Sequence, residues 1–221
     1  MSDISEMNDR VRKRAAYWAV AMAALGLLAI APDSVVRLLH GDPTKQLWWS
    51  ALVGGALAMM FLVEGFEIGR HSRHRSAINL LISQGVVRQV CTNLRCPQKD
   101  DPNESVRNTA MALFYKAIDA PSRQVAFHNW GWYYFSVLAM WMSLVALAIA
   151  LVGLRLPTQR GDLRALGYIC LGGAAFMMWR LRLHWERKNE LLVNSQLSQI
   201  SGSLGSKLPT ASCEELACPA T

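Results

Sequence analysis

A chain of 221 residues that is 52% hydrophobic and only 18% charged departs from the soluble norm, in which about a quarter of residues are charged. Its apolar residues are gathered into long blocks separated by charged stretches, which argues against soluble domains and for membrane spans joined by loops. The formal net charge of +7 is distributed unevenly between those loops, so membrane topology explains it better than a nucleic-acid partner, and no nucleic acid is expected.

Residues 1–14 are a basic leader holding Arg10, Arg12, Lys13 and Arg14, followed by a first apolar block at 15–31 that Pro32 and Asp33 close. The same pattern, ending in Ala29-Ile30-Ala31, also fits a cleaved signal peptide. The length of the run and the proline after the cut favour a retained helix.

The second block, 47–68, carries Glu64 and Glu67 near its end, the only acids inside a span. An intramembrane carboxylate is a candidate for pore lining, proton transfer or partner binding. The plainer alternative is an interfacial ion pair, since Glu67 and Arg70 are three residues apart. Glu64, Glu67 and Arg70 form the candidate intramembrane polar site. In the same block Ser50, Gly54 and Ala58, with Gly55 beside them, make a stripe of small residues suited to helix packing within one bundle or between subunits.

Residues 69–131 read as the largest loop. The cluster Arg70, His71, Arg73, His74 and Arg75 is a candidate anchor on anionic lipid headgroups. His71 and His74 with Cys91 and Cys96 have spacings compatible with zinc, but the surrounding arginines disfavour a cation, and no metal or cofactor is expected. Two helical pieces follow. In 77–94 the polar positions Asn79, Ser83, Arg88 and Thr92 leave a wide apolar face. After the turn-forming residues 97–102, Val106, Ala110, Leu113, Phe114, Ala117 and Ile118 line one face of a helix that Pro121 limits.

The third block, 132–153, is the cleanest span. The fourth, 165–179, reaches spanning length only if Arg180 and Arg182 snorkel, extending it to 183. Residues 184–200 read as a helix beyond the membrane and 201–221 as a disordered tail. The terminal Cys218-Pro-Ala-Thr lacks the aliphatic pair of a prenylation box.

Eighteen of the 23 lysines and arginines fall in the N-terminal segment, the central loop and the segment after the fourth block. The positive-inside rule therefore places both termini and the central loop in the cytoplasm. Trp48 and Trp49 mark the outer end of the second span, and Trp130, Trp132, Tyr133 and Tyr134 the inner end of the third, as interfacial rings should.

The expected fold is an all-α integral membrane protein: a four-transmembrane-helix bundle, with helices 1 and 2 in 15–68 and helices 3 and 4 in 132–183. A short cytoplasmic helical hairpin and a disordered C-terminal tail complete it, and the bacterial inner membrane is the expected location. No phosphate-binding loop, zinc-protease helix or nucleophile elbow occurs. The leading expectation is a non-enzymatic membrane component, working as a homo-oligomer or with a protein partner. It would couple a cytoplasmic signal to membrane permeability or anchoring, as a stress- or phage-defence effector would. A small proton- or cation-coupled transporter using Glu64 and Glu67 is the first alternative, and a membrane-embedded enzyme without a recognised motif the second.

Overall fold

The computed structural model describes residues 2–40, 50, 52–61, 77–89 and 104–207. Every regular element among them is helical. In chain order these are α1 (Ser2–Ile30), α2 (Pro32–Leu39), α3 (Leu52–Phe61), α4 (77–89), α5 (Glu104–Ala117), α6 (Ala120–Val152) and α7 (Gly161–Lys207). A single 3₁₀ turn, Gly153–Arg155, follows α6.

Local chemistry sets the boundaries. Pro32 cannot continue α1 but suits the first turn of α2, so the chain breaks at Ala31 and restarts at once. Asp119 precedes α6 and Pro121 lies in its first turn, a favourable start that also explains why α5 stops at Ala117. Glu104 opens α5 and Lys116 closes it, matching the helix dipole at both ends.

Two boundaries differ from the sequence reading. The third apolar block is the later part of a helix of 33 residues that already begins at Ala120. The fourth lies within a helix of 47 residues that ends at Lys207, so Ser201–Lys207, expected to be disordered, are helical. Elongating a formed helix is far easier than nucleating one, and the first proline beyond is Pro209.

The chain divides into two units, Met1–Ile68 with Trp130–Glu186, and Gly69–Asn129 with Arg187–Thr221. The first is apolar both inside and outside. Its interior is built from small and flexible residues, among them Ala15, Ala19, Met22, Ala139, Met142 and Leu171. Its outer surface carries Tyr17, Phe61, Ile149, Val152, Ile169 and Met177, all well exposed. Two helices, Glu6–Ile30 and Ala120–Val152, are long and apolar enough to cross a membrane. The apolar window of the former is 33% buried within the chain and that of the latter 56%. The apolar stretch of α7 falls short of that measure, and the described part of the second block is a shorter helix, Leu52–Phe61.

Contacts within this unit fix helix direction. Val11 lies opposite Gly131, Trp18 bonds Ala139, and Met22 meets Ser143, so α1 and α6 run parallel. Tyr168 bonds Ala150 and Trp185 stacks on Trp132, so α7 runs antiparallel to α6. Ala29 lies against Gly167, at the opposite end from Arg14 on Trp132.

The second unit contains α4, α5, the start of α6 and the last turns of α7. It buries Ile82 and Val86 of α4, Ala110 and Phe114 of α5, and Val193 and Leu197 of α7. Ser83, read from the sequence as part of a polar face, is fully buried; its hydroxyl donates to the carbonyl of Leu80 at 3.0 Å, which removes the cost of burying it.

Among the described glycines, the closest approach to the backbone of another helix is at Gly167. A Cβ there would lie 2.8 Å from the backbone nitrogen of Ala29 and 2.9 Å from its Cα, atoms that have no rotamer by which to move aside. Gly167→Ala is expected to cost about 1–3 kcal/mol and lower the melting temperature of the purified protein. Gly172→Ala, where nothing lies within 4 Å, is expected to leave it unchanged. Equal melting temperatures for the two variants would contradict the packing described.

Candidate functional site

Of the positions singled out from the sequence, Glu64, Glu67, Arg70, His71, Arg73, His74 and Arg75 lie outside the described residues, as do Cys91, Cys96, Cys213 and Cys218. The small-residue stripe is described. Ser50, Gly54 and Ala58 are exposed and Gly55 half-buried, while Ala56 and Met59 of the same helix enter the core. A Cβ built on Gly54 or Gly55 would meet nothing within 4 Å among the described residues, so neither glycine is needed for packing against them. Cys170 is half-buried and free. Among the described residues no three metal-ligating side chains converge.

What the structure brings together is a set of polar nodes, each on an element that fixes its geometry. In the middle of the first unit the Trp18 indole N–H lies 3.0 Å from the Ala139 carbonyl and 3.1 Å from Ser143 Oγ. The Ser143 hydroxyl donates to the same carbonyl at 2.8 Å, so one α6 carbonyl holds both helices. Trp18 also meets Phe135 edge-on, with ring centroids 6.2 Å apart.

At one end of this unit Asp33 accepts from the Thr158 hydroxyl at 2.8 Å and from the Gln159 N–H at 3.3 Å, with Arg160 3.6 Å away. Arg164, 9% exposed, donates to the carbonyls of Leu156 and Ile30. Those are carbonyls near the ends of α6 and α1 that no helical partner satisfies, so the guanidinium ties three segments through otherwise unpaired groups. At the other end the Arg14 guanidinium lies 4.0 Å from the centroid of Trp132, whose ring stacks on Trp185 within 6° of parallel.

The second unit has its own polar set. Gln89 of α4 donates to the Leu197 carbonyl at 2.7 Å, and Gln196 donates to the Ser122 carbonyl at 3.2 Å. Gly85 lets α4 approach Leu197, because a Cβ would fall 2.5 Å from its Cδ1. Asn189 is 1% exposed, and neither its amide oxygen nor its nitrogen has a hydrogen-bond partner. An amide left unsatisfied in a core costs about 1–3 kcal/mol, which is the mark of a locally metastable packing. In Asn189, Val193, Gln196 and Ile200, the spacing of four, three and four residues places two amides on the buried face of α7, a signal present in the sequence that hydrophobic scanning passes over. Trp185 was missed for a different reason: it lies among charges, beyond the last apolar block.

Chemically these nodes position helices. Most of the bonds run to backbone carbonyls. Replacing Asn189 by leucine is expected to raise the unfolding temperature of the purified protein, equivalent to about 1–2 kcal/mol, by removing the unsatisfied amide. A lowered unfolding temperature for Asn189→Leu, with Val193→Ala as a destabilised reference, would contradict the assignment.

Comparison with protein-family models, curated proteins and solved structures gives no match for this chain, which leaves its residues as the guide to function.

Proposed function

We propose that the protein is a four-pass, non-enzymatic component of a bacterial inner membrane that works as a homo-oligomer or with a protein partner, and that it couples an event at its cytoplasmic helical unit to membrane permeability. The observation that carries this reading is helix continuity. α6 and α7 each run unbroken from the apolar unit into the polar one, over 33 and 47 residues. A continuous helix offers a shift or rotation of its polar half a path to its apolar half.

Helix direction and composition together support a reading of four crossings. α1 and α6 run parallel, so after α1 the chain must return to the starting side before α6 begins. The only apolar block between them is 47–68, within which Leu52–Phe61 is helical and buries Ala56 and Met59. The fourth crossing is the first half of α7, which runs against α6. The end that gathers Arg12, Lys13, Arg14 and Arg180 is the cytoplasmic one by the positive-inside rule, and both termini belong to that side. The large exposed apolar surface of the first unit supports lipid or subunit neighbours around it.

Asn189 and the close Gly85–Leu197 contact favour a helical unit that can repack. The reading is tested by inducing expression in bacterial cells and following membrane potential with a voltage-sensitive dye. Wild-type protein is expected to depolarise the membrane, and Gly85→Leu, which wedges α4 from α7, to change the extent of depolarisation at equal membrane abundance. No depolarisation by wild type, even at high expression and with the triggering stress applied, would overturn the permeability reading in favour of a purely anchoring role.

A further inference from the structure

Two outward faces of the apolar unit repeat the same chemical order. On α1 the residues Lys13, Tyr17 and Val20 are spaced four and three apart, share one face, and are all exposed, Tyr17 by 80%. On α7 the residues Ile169, Gly173, Phe176 and Arg180, spaced four, three and four apart, share another exposed face; Ile169 is 70% exposed. Trp179, half exposed, packs its ring against Phe176 at 5.7 Å beside Arg180.

α1 and α7 run in opposite directions, yet each face reads aliphatic, aromatic, cation toward the same end. That shared end is fixed by Arg14 over Trp132 and Trp132 on Trp185. Arg180 and Lys13 form no ion pair with any carboxylate among the described residues, whereas Arg10 is paired with Glu6 and Arg182 with Glu186. At the opposite end Arg160 is matched by Asp33 and Arg164 by carbonyls.

We infer that this end of the unit carries binding sites for anionic phospholipid, with the phosphate held by Lys13 on one face and Arg180 on the other. The glycerol region lies against Tyr17 or the Phe176–Trp179 pair, and an acyl chain along Val20 or Ile169. The order of groups along each face is the order along a phospholipid: charge, interface, hydrocarbon. A Cβ built on Gly173 would meet nothing within 4 Å among the described residues, so the face between Ile169 and Phe176 is open to a chain. A free phosphate ion would use the cation alone and has no reason to need the aromatic and aliphatic steps beneath it. The inference rests on the membrane-spanning reading.

The test uses the full-length protein and begins with an alkaline carbonate wash of membranes, which reports that reading separately: loss of the protein to the supernatant would overturn both claims. Carbonate-resistant protein is then placed in nanodiscs of phosphatidylcholine with a minority of phosphatidylglycerol, and retained lipid is counted by native mass spectrometry after gentle detergent release. Wild type is expected to retain phosphatidylglycerol over phosphatidylcholine. Each of Lys13→Gln and Arg180→Gln is expected to lower that preference roughly fivefold, the effect of about one cation near a surface. Arg160→Gln, at the other end, is expected to leave it unchanged, and millimolar inorganic phosphate to compete poorly. No preference in wild type, a preference unchanged from wild type in both Lys13→Gln and Arg180→Gln, or full displacement by inorganic phosphate would overturn the proposal.

Discussion

The relative direction of three helices governs everything else in this protein. α1 and α6 run together and α7 runs against both, and in a bilayer this arrangement cannot be held by the hydrophobic effect, because lipid tails are as apolar as leucine. It has to come from close packing and from hydrogen bonds that survive in hydrocarbon. The interior is accordingly lined with Ala15, Ala19, Ala23, Ala139, Ala146 and Ala150, residues small enough for backbones to approach. The approach reaches its limit where Gly167 meets the backbone of Ala29. The Trp18 indole, bonded to the Ala139 carbonyl and Ser143, sets the register of α1 on α6 with a directional contact that small residues alone cannot supply.

Around that frame the two ends of the apolar unit are chemically unlike. One is closed by Asp33 and Arg164, which bond groups of the turn between α6 and α7 and of the α1–α2 break. The other carries Lys13 and Arg180, which pair with no carboxylate among the described residues, beside tryptophan and tyrosine rings. Such asymmetry orients a chain in a membrane, and it makes the basic end the one able to recognise what lies on its side. The helical unit built from α4, α5 and the ends of α6 and α7 contains the least satisfied group of the described residues' cores, the Asn189 amide. Under the function proposed above this is the responding part, and low local stability belongs there.

Much of the frame was legible in the sequence because hydrophobic blocks are a coarse signal that needs no partner to be read. The helical character, the apolar block at 132–153, the break at Pro32 and the face formed by Ala110, Phe114 and Ile118 all follow from composition and period. What was not legible depends on a neighbour. Ser83 has the chemistry of a surface residue, and only its bond to Leu80 makes burial tolerable. Ser201–Lys207 have a disordered composition but follow a long packed helix that carries them along. Trp185 gains its role only through Trp132, and Asp33 only through a turn more than a hundred residues away. The stripe Ser50, Gly54 and Ala58 was visible as a pattern, yet a pattern does not say which partner it meets, and among the described residues it meets none at Gly54. Glu64, Glu67 and the arginine–histidine cluster lie outside the described residues, so their standing still derives from the sequence.

The central claim is that the chain crosses the membrane between α2 and α5, returning to the side on which it began. Single cysteines placed at His40, Asp119, Gln159 and Ser195, after replacement of the five native cysteines, test it directly through labelling of intact cells with a membrane-impermeant maleimide. The account predicts that positions 40 and 159 react from outside and that positions 119 and 195 react only after permeabilisation. Labelling of positions 40 and 119 from the same side would mean that the chain does not cross between them, and the four-pass arrangement would fall.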